Sequence, residues 1–170
     1  MMIRQATLDD IPQILQLIAQ VVPLMNASGN YQWDENYPNA TVFEADIALG
    51  QLWIAQLDEQ LAGIAAITTS QDPEYAQVGW DITETAIVTH RLAVNPAIRG
   101  KGIAAALLAK AEQVAITNEI EVLRIDTNSM NHATQRLFPK LGYVYAGEIT
   151  LAFRPGLQFY CYEKRLNAKQ

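Results

Sequence analysis

The chain has 170 residues, 50% hydrophobic and 18% charged, which suits one folded domain and excludes a disordered or collagen-like polymer. Its single cysteine, Cys161, excludes an internal disulfide framework, and no apolar run approaches the roughly 18 residues of a membrane helix. Twelve Lys and Arg against eighteen Asp and Glu give a net charge of −6, which argues against a general nucleic-acid binder.

In chain order, Met2–Ala6 reads as a short strand, and Thr7 can cap a helix beginning near Asp9. Two acids this early do not suit a signal peptide, so the expected location is cytoplasmic. In that first helix Ile11, Ile14, Leu15, Ile18 and Val22 follow the spacing of one buried face, with Pro23 and Gly29 ending it. Thr41 and Glu44 form a capping-box pattern for a second helix that Gly50 terminates. Leu52–Leu57 and Leu61–Thr69 flank Asp58, Glu59 and Gln60 and read as an antiparallel hairpin. A polar loop around Asp72 and Pro73 leads to a long β-branched strand, Thr85–Val94, and then to a helix over Gly102–Ile116. Val122–Thr127 reads as a strand and Asn131–Leu141 as a short helix closed by Gly142. Tyr143–Ala152 and Leu157–Lys164 follow as strands around an Arg154-Pro155-Gly156 turn. The order βααβββαβαββ predicts a single α+β (mixed α/β) domain over residues 1–170, with a central mixed sheet flanked by helices.

The most informative stretch is His90–Ala115, HRLAVNPAIRGKGIAAALLAKAEQVA. A strand ends at Val94, Asn95-Pro96 breaks it, and Arg99-Gly100-Lys101-Gly102-Ile103-Ala104 enters a helix. Glycines remove the Cβ atoms that would hold a phosphate away from the backbone, and first-turn helix amides lack internal acceptors. Arg99 and Lys101 add charge that a diphosphate complements. No acid interrupts Thr85–Ala111, which carries Arg91, Arg99, Lys101 and Lys110. A cationic window on an acidic chain points to a small anion. A glycine turn that merely packs a helix on a sheet is the plainer alternative.

Gly100-x-Gly102-x-x-Ala105 also fits a dinucleotide fingerprint, so an NAD(P)-dependent oxidoreductase is kept as a weaker reading. The five residues Asn95 to Arg99 between strand and glycine, and the motif's mid-chain position, count against it. No Lys-Ser or Lys-Thr follows the glycines, which excludes a P-loop.

The segment Ala97-Ile98-Arg99-Gly100-Lys101-Gly102 resembles the acetyl-coenzyme A signature of the GNAT (Gcn5-related N-acetyltransferase) superfamily, with Ala97 in place of its leading Gln or Arg. Asn131-His-Ala-Thr-Gln-Arg-Leu137-Phe138-Pro-Lys-Leu141-Gly142-Tyr143 is similar to that family's second motif. The resemblance implies an acyl-CoA N-acyltransferase-like fold and an enzyme that uses acetyl-CoA to acetylate an amine. It implies that the backbone of Leu92, Ala93 and Val94 holds the pantetheine arm, with an N–H near Val94 polarising the thioester carbonyl. The amides of Gly100, Lys101, Gly102, Ile103 and Ala104, beside Arg99, would hold the pyrophosphate, and Asn131 would steady the arm. The family's tyrosine acid falls at Phe138, which has no proton to give. A coenzyme A-binding domain with lost or weak catalysis is therefore a further alternative.

His90 is the leading general base, since strand alternation sets it on one face with Leu92 and Val94. A structural histidine bonded to a loop is the competing reading, and Asp81 and Glu84 are second choices. Trp33 and Tyr37, near Tyr31, and Trp80 are read as acceptor-site aromatics suited to a cationic amine, or else as cover for the sheet. No His, Cys or Asp cluster has metal-ligand spacing, so no metal is expected. Leu157–Lys164 is read as an edge able to support a homodimer.

Overall fold

The computed structural model describes residues 1–166. Its elements run β1 (Met2–Gln5), α1 (Ile11–Ala27), α2 (Ala40–Ala48), β2 (Leu52–Leu57), β3 (Gln60–Thr68), β4 (Ile87–Val94), α3 (Ile103–Thr117), β5 (Val122–Asn128), α4 (His132–Lys140), β6 (Val144–Ile149) and β7 (Phe159–Arg165). Short 3-10 turns occupy Leu8–Asp10, Pro73–Val78 and Pro96–Ile98. The strands form one mixed sheet in the order β1-β2-β3-β4-β5-β7-β6. This is the mixed α/β architecture and the element order that the sequence predicts. No described helix is long and apolar enough to cross a membrane.

Residues group into two compact units, Met1–Thr68 with Thr89–Lys110, and Thr69–Val88 with Ala111 onward. In the first unit, Ile14, Leu17, Ile18 and Val22 of α1 pack with Phe43, Leu52, Ile54, Ile64 and Ala93. The helix runs past Pro23 to Ala27, because Pro23 is exposed and the next turn has partners of its own. Asn26 Nδ2 donates to the Asn30 and Trp33 carbonyls at 2.9 and 3.0 Å, which ties the last turn of the helix to the segment that follows it. The cap of α2 is Asn39, whose side chain accepts from the Val42 N–H at 3.1 Å, in place of the expected Thr41–Glu44 box. The hairpin between β2 and β3 turns on Asp58 and Glu59, both at positive φ (53° and 65°). That is the two-residue geometry whose twist matches its strands.

At the entrance to α1, the Arg4 guanidinium grips Asp10 with both nitrogens at 2.9 and 2.8 Å, and the Thr7 N–H donates to the same carboxylate at 2.7 Å. Hydrogen bonding by Arg4 foremost holds the Asp10 carboxyl below its ordinary pKa. A lowered folded-state pKa adds stability that is present above the unfolded value and lost as pH falls through the folded one. Asp10→Asn is therefore expected to be less stable than the parent at neutral pH. The gap should close as pH drops below the usual carboxylate range. Urea midpoints at neutral and acid pH check this; a gap that stays constant with pH would remove the ion pair as its cause.

In the second unit, Tyr75, Val88, Ile149, Leu151, Phe159 and Cys161 form the core. Tyr75 enters it from the 3-10 turn that replaces the expected polar loop, and its hydroxyl donates to Asp126 at 2.6 Å. The strand β7 pairs with β5 on one side and β6 on the other. It is thus an interior strand, and the edge on which a dimer was expected does not exist there. β5 also pairs in parallel with the start of β4, at Ile87↔Leu123 and Val88↔Arg124.

Candidate functional site

The glycine turn belongs to the first unit and is built by short-range chemistry. Asn95 ends β4: its N–H donates to the Ala62 carbonyl at 2.8 Å and its Nδ2 to the Leu61 carbonyl at 3.1 Å. Its Oδ1 accepts from the Ala97 N–H at 2.9 Å, which starts the Pro96–Ile98 turn. Ile98 is buried and anchors that turn, while Arg99 and Lys101 are exposed. Gly100 and Gly102 take φ of 76° and 73°, the left-handed region in which a side chain costs about 1–2 kcal/mol. A Cβ built on either would meet nothing within 4 Å, so both glycines face open space. The Ala106 N–H is bonded to the Gly102 carbonyl at 3.0 Å, which leaves the amides ahead of it without an intrahelical acceptor.

Helix α3 is seated by a glycine the sequence reading passed over. A Cβ at Gly63 on β3 would lie 2.7 Å from Ile103 Cγ2 and 2.9 Å from the Ala93 carbonyl oxygen. Only glycine allows that approach. It places Ile103, which is buried, directly behind the turn that carries Gly100 and Gly102.

The cationic window is narrower than its sequence implies. Arg91 is matched by Asp46 of α2, with Nε to Oδ2 and Nη2 to Oδ1 both at 2.7 Å. Asp46 is 3% exposed and also accepts from Gln51 Nε2 at 2.9 Å, while Arg91 Nη1 reaches the Tyr37 hydroxyl at 3.3 Å. Burial opposes the Arg91 charge, and the hydrogen bonds and field of Asp46 more than offset it, so its pKa lies above the ordinary value. Lys110 lies over the Trp53 ring at 5.0 Å. Arg99 and Lys101 are the members of the window that stand exposed at the turn.

Arg91 itself has φ of 54°. This interrupts the pleat of β4, so regular alternation no longer assigns His90 to the face of Leu92 and Val94. Ala93 is buried, while His90, Leu92, Val94 and Ala104 are half-buried. Among the acceptor-site aromatics, Trp33 is 4% exposed within the core of the first unit, so its ring has a packing role. Tyr37 is half-buried on Arg91, and Tyr31 is exposed. The signal for the missed Asp46 was an acid three residues after Phe43, on the stripe of α2 that faces inward.

In the second unit, the half-buried Trp80 meets Tyr75 edge-on at 5.2 Å and the Arg124 guanidinium at 4.9 Å, contacts that give it a packing role. Asp81 and Glu84 each have protein partners: the exposed Asp81 carboxylate accepts from Thr83, and the half-buried Glu84 carboxylate from Arg124 and Arg165. Asn131 caps α4, its Oδ1 accepting from the Thr134 N–H at 3.2 Å, which leaves its Nδ2 as the group able to donate outward. Phe138 is 1% exposed between Tyr143 and Tyr162. Burial, chiefly, pushes the Cys161 thiol well above its usual pKa, which disfavours a thiolate nucleophile there. No group of three or more His, Cys, Asp or Glu among the described residues is placed to hold a metal ion.

A mixed sheet with a glycine turn opening a helix after a central strand defines an α/β domain in which first-turn amides and two exposed cations share one helix end. The model of the acetyltransferase (GNAT) family matches residues 18–143, and the chain belongs to that family. It is 25% identical over 146 residues to the N-acetyltransferase YesJ of Bacillus subtilis, covering 84% of this chain and 81% of that protein. It is 28% identical over 105 residues to the N-acetylaspartate synthetase of Danio rerio, covering 62% of this chain and 33% of that protein. This chain thus spans about a third of that synthetase. A GNAT-family acetyltransferase from Streptococcus agalactiae superposes with a TM-score of 0.82 at 27% identity, covering 96% of this chain and 94% of that one. The Salmonella typhimurium acetyltransferase yncA, solved with its cofactor acetyl-CoA, shares the fold at a TM-score of 0.71 and 19% identity, covering 98% and 94%.

Proposed function

We propose that this chain transfers an acetyl group from acetyl-coenzyme A to a primary amine of a small molecule or peptide, by direct attack of the amine on the thioester. The observation that carries the reading is the turn at Gly100–Ala104. Two left-handed glycines with open space beside them, free first-turn amides and two exposed cations make a cradle with the chemistry of a diphosphate site. The co-substrate supplies the activated thioester; this chain's residues bind and orient it. Amides of Gly100, Lys101, Gly102, Ile103 and Ala104, with Arg99, hold the diphosphate. The backbone of Leu92, Ala93 and Val94 receives the pantetheine arm, and an N–H near Val94 donates to the carbonyl oxygen as negative charge develops there. His90 takes the proton from the ammonium, through a water, before attack. Tyr37 borders the acceptor. No metal is assigned a role, and a cytoplasmic location belongs to the same reading.

A second reading is a coenzyme A-binding domain without turnover. It draws support from Phe138, a buried hydrocarbon ring at the position where the family's tyrosine protonates the leaving thiolate.

Thermal unfolding with acetyl-CoA, with NADH and without ligand tests the cradle. A ligand at a hundred times its dissociation constant stabilises the fold by about 2.7 kcal/mol, a shift that is readily measured. A rise with acetyl-CoA and none with NADH is expected. A rise with NADH alone would sink the reading and revive the oxidoreductase. Thiol release with a panel of amines then separates transfer from binding without turnover.

A further inference from the structure

We infer that Asp46 is a positioning residue for transfer: through Arg91 it holds the break in β4 that aims the following backbone amides. This rests on the proposed acetyl transfer. Within a strand, away from any turn, a long side chain in the left-handed region persists only where its surroundings over-determine it. At Arg91, where φ is 54°, those surroundings are on view. Asp46 accepts from Nε and Nη2, one edge of the guanidinium, both at 2.7 Å, from within the buried face of α2. Gln51 fixes Asp46 at 2.9 Å, and Tyr37 accepts from the remaining Arg91 nitrogen at 3.3 Å. A planar fork gripped at both ends leaves the side chain little rotational freedom, so its Cα is held in orientation as well as place. The next three residues, Leu92, Ala93 and Val94, are those whose backbone the proposed reaction uses. An oxyanion donor works only if it is aimed before charge develops, so a fixed bulge one residue upstream is what such a donor needs.

The grip is also unlike a device for stability alone. Buried ion pairs are often replaced by well-packed apolar residues without loss of stability. That makes the double variant Asp46→Leu/Arg91→Met the informative one, since neither charge is left stranded. Its melting temperature is expected to stay near that of the parent. With an amine found active in the thiol-release panel, kcat should fall about tenfold or more while KM for acetyl-CoA changes less than about twofold. Arg91→Lys keeps a charge for Asp46 but not the fork, and should fall between. In the crystal structure of the double variant, residue 91 should leave the left-handed region. A double variant with kcat within about twofold of the parent, or with residue 91 still left-handed, overturns the inference. If the parent acetylates no amine, the transfer reading fails, and the backbone conformation at residue 91 still decides whether Asp46 holds the break.

Discussion

Alanine at both Gly100 and Gly102 is expected to lower affinity for acetyl-CoA about a hundredfold, or about 2.7 kcal/mol, while leaving the fold standing. The two effects separate because the structure separates them. Within the protein, a Cβ at either position meets nothing within 4 Å, so no atom must move to admit it. What remains is the left-handed backbone, at φ of 76° and 73°, which costs an alanine about 1–2 kcal/mol per site. The unliganded melting temperature should therefore drop by roughly 4–16 °C and no further. Toward a ligand the new methyl groups have a different consequence. In the proposed complex they occupy the space through which the diphosphate reaches backbone amides, and a donor held even an ångström too far gives little. Gly79 supplies the control: its φ is 83°, a Cβ there also meets nothing within 4 Å, and it lies in the other unit. Gly79→Ala should show the strain without the loss of binding. Thermal shifts of both variants across an acetyl-CoA titration check this. Equal loss in the Gly79 variant would assign the effect to strain, and full retention in the double variant would move the diphosphate elsewhere.

Removing Arg124 carries the largest expected cost to stability. Its side chain is 1% exposed, among the most enclosed charges of the described residues. Nε donates to Glu163 at 2.9 Å, Nη1 to Gln71 at 2.7 Å and to the Asp81 carbonyl at 3.0 Å, and Nη2 to Glu84 at 3.0 Å. Arg124→Met would keep much of the volume yet leave Glu163, at 18% exposure, facing an apolar neighbour. Breaking a buried pair in this way typically costs about 3–5 kcal/mol, because the stranded partner has lost its water. We expect about 3 kcal/mol here, since both acids keep some access to solvent and Arg165 also bonds each of them. Glu163→Gln in the Arg124→Met background should recover part of the loss, a coupling that urea unfolding of the four-member cycle resolves. A loss below about 1 kcal/mol would mean the cluster contributes little beyond packing.

The acid side of this cluster follows the same logic. Hydrogen bonding by Arg165, foremost, holds the Glu84 carboxyl below its ordinary pKa. Its contribution is therefore present above the usual carboxylate range and lost as pH falls. Asp10 behaves alike in the first unit, so both units lose ion-pair support in acid.

The order of strands and helices was legible because each element carries its own short-range signal. The stripe of Ile14, Ile18 and Val22 marked α1, the β-branched run marked β4, and Asn95-Pro96 with two glycines marked the entrance to α3. The glycine turn was legible for the same reason, since left-handed backbone and free helix-end amides depend on neighbours within a few residues. What the sequence could not decide is which partner each charged or aromatic side chain takes. Arg91 and Asp46 are 45 residues apart, and Arg124 draws Gln71 from 53 residues away. Such pairs exist only once strands and helices are closed upon one another, and many closures satisfy the same hydrophobic pattern. For that reason an apparently available Arg91 proved to be neutralised, Trp33 and Trp80 proved to be packed, and an expected edge strand proved to be interior. Local chemistry determined the glycine turn; the tertiary structure decided which charges stand exposed beside it.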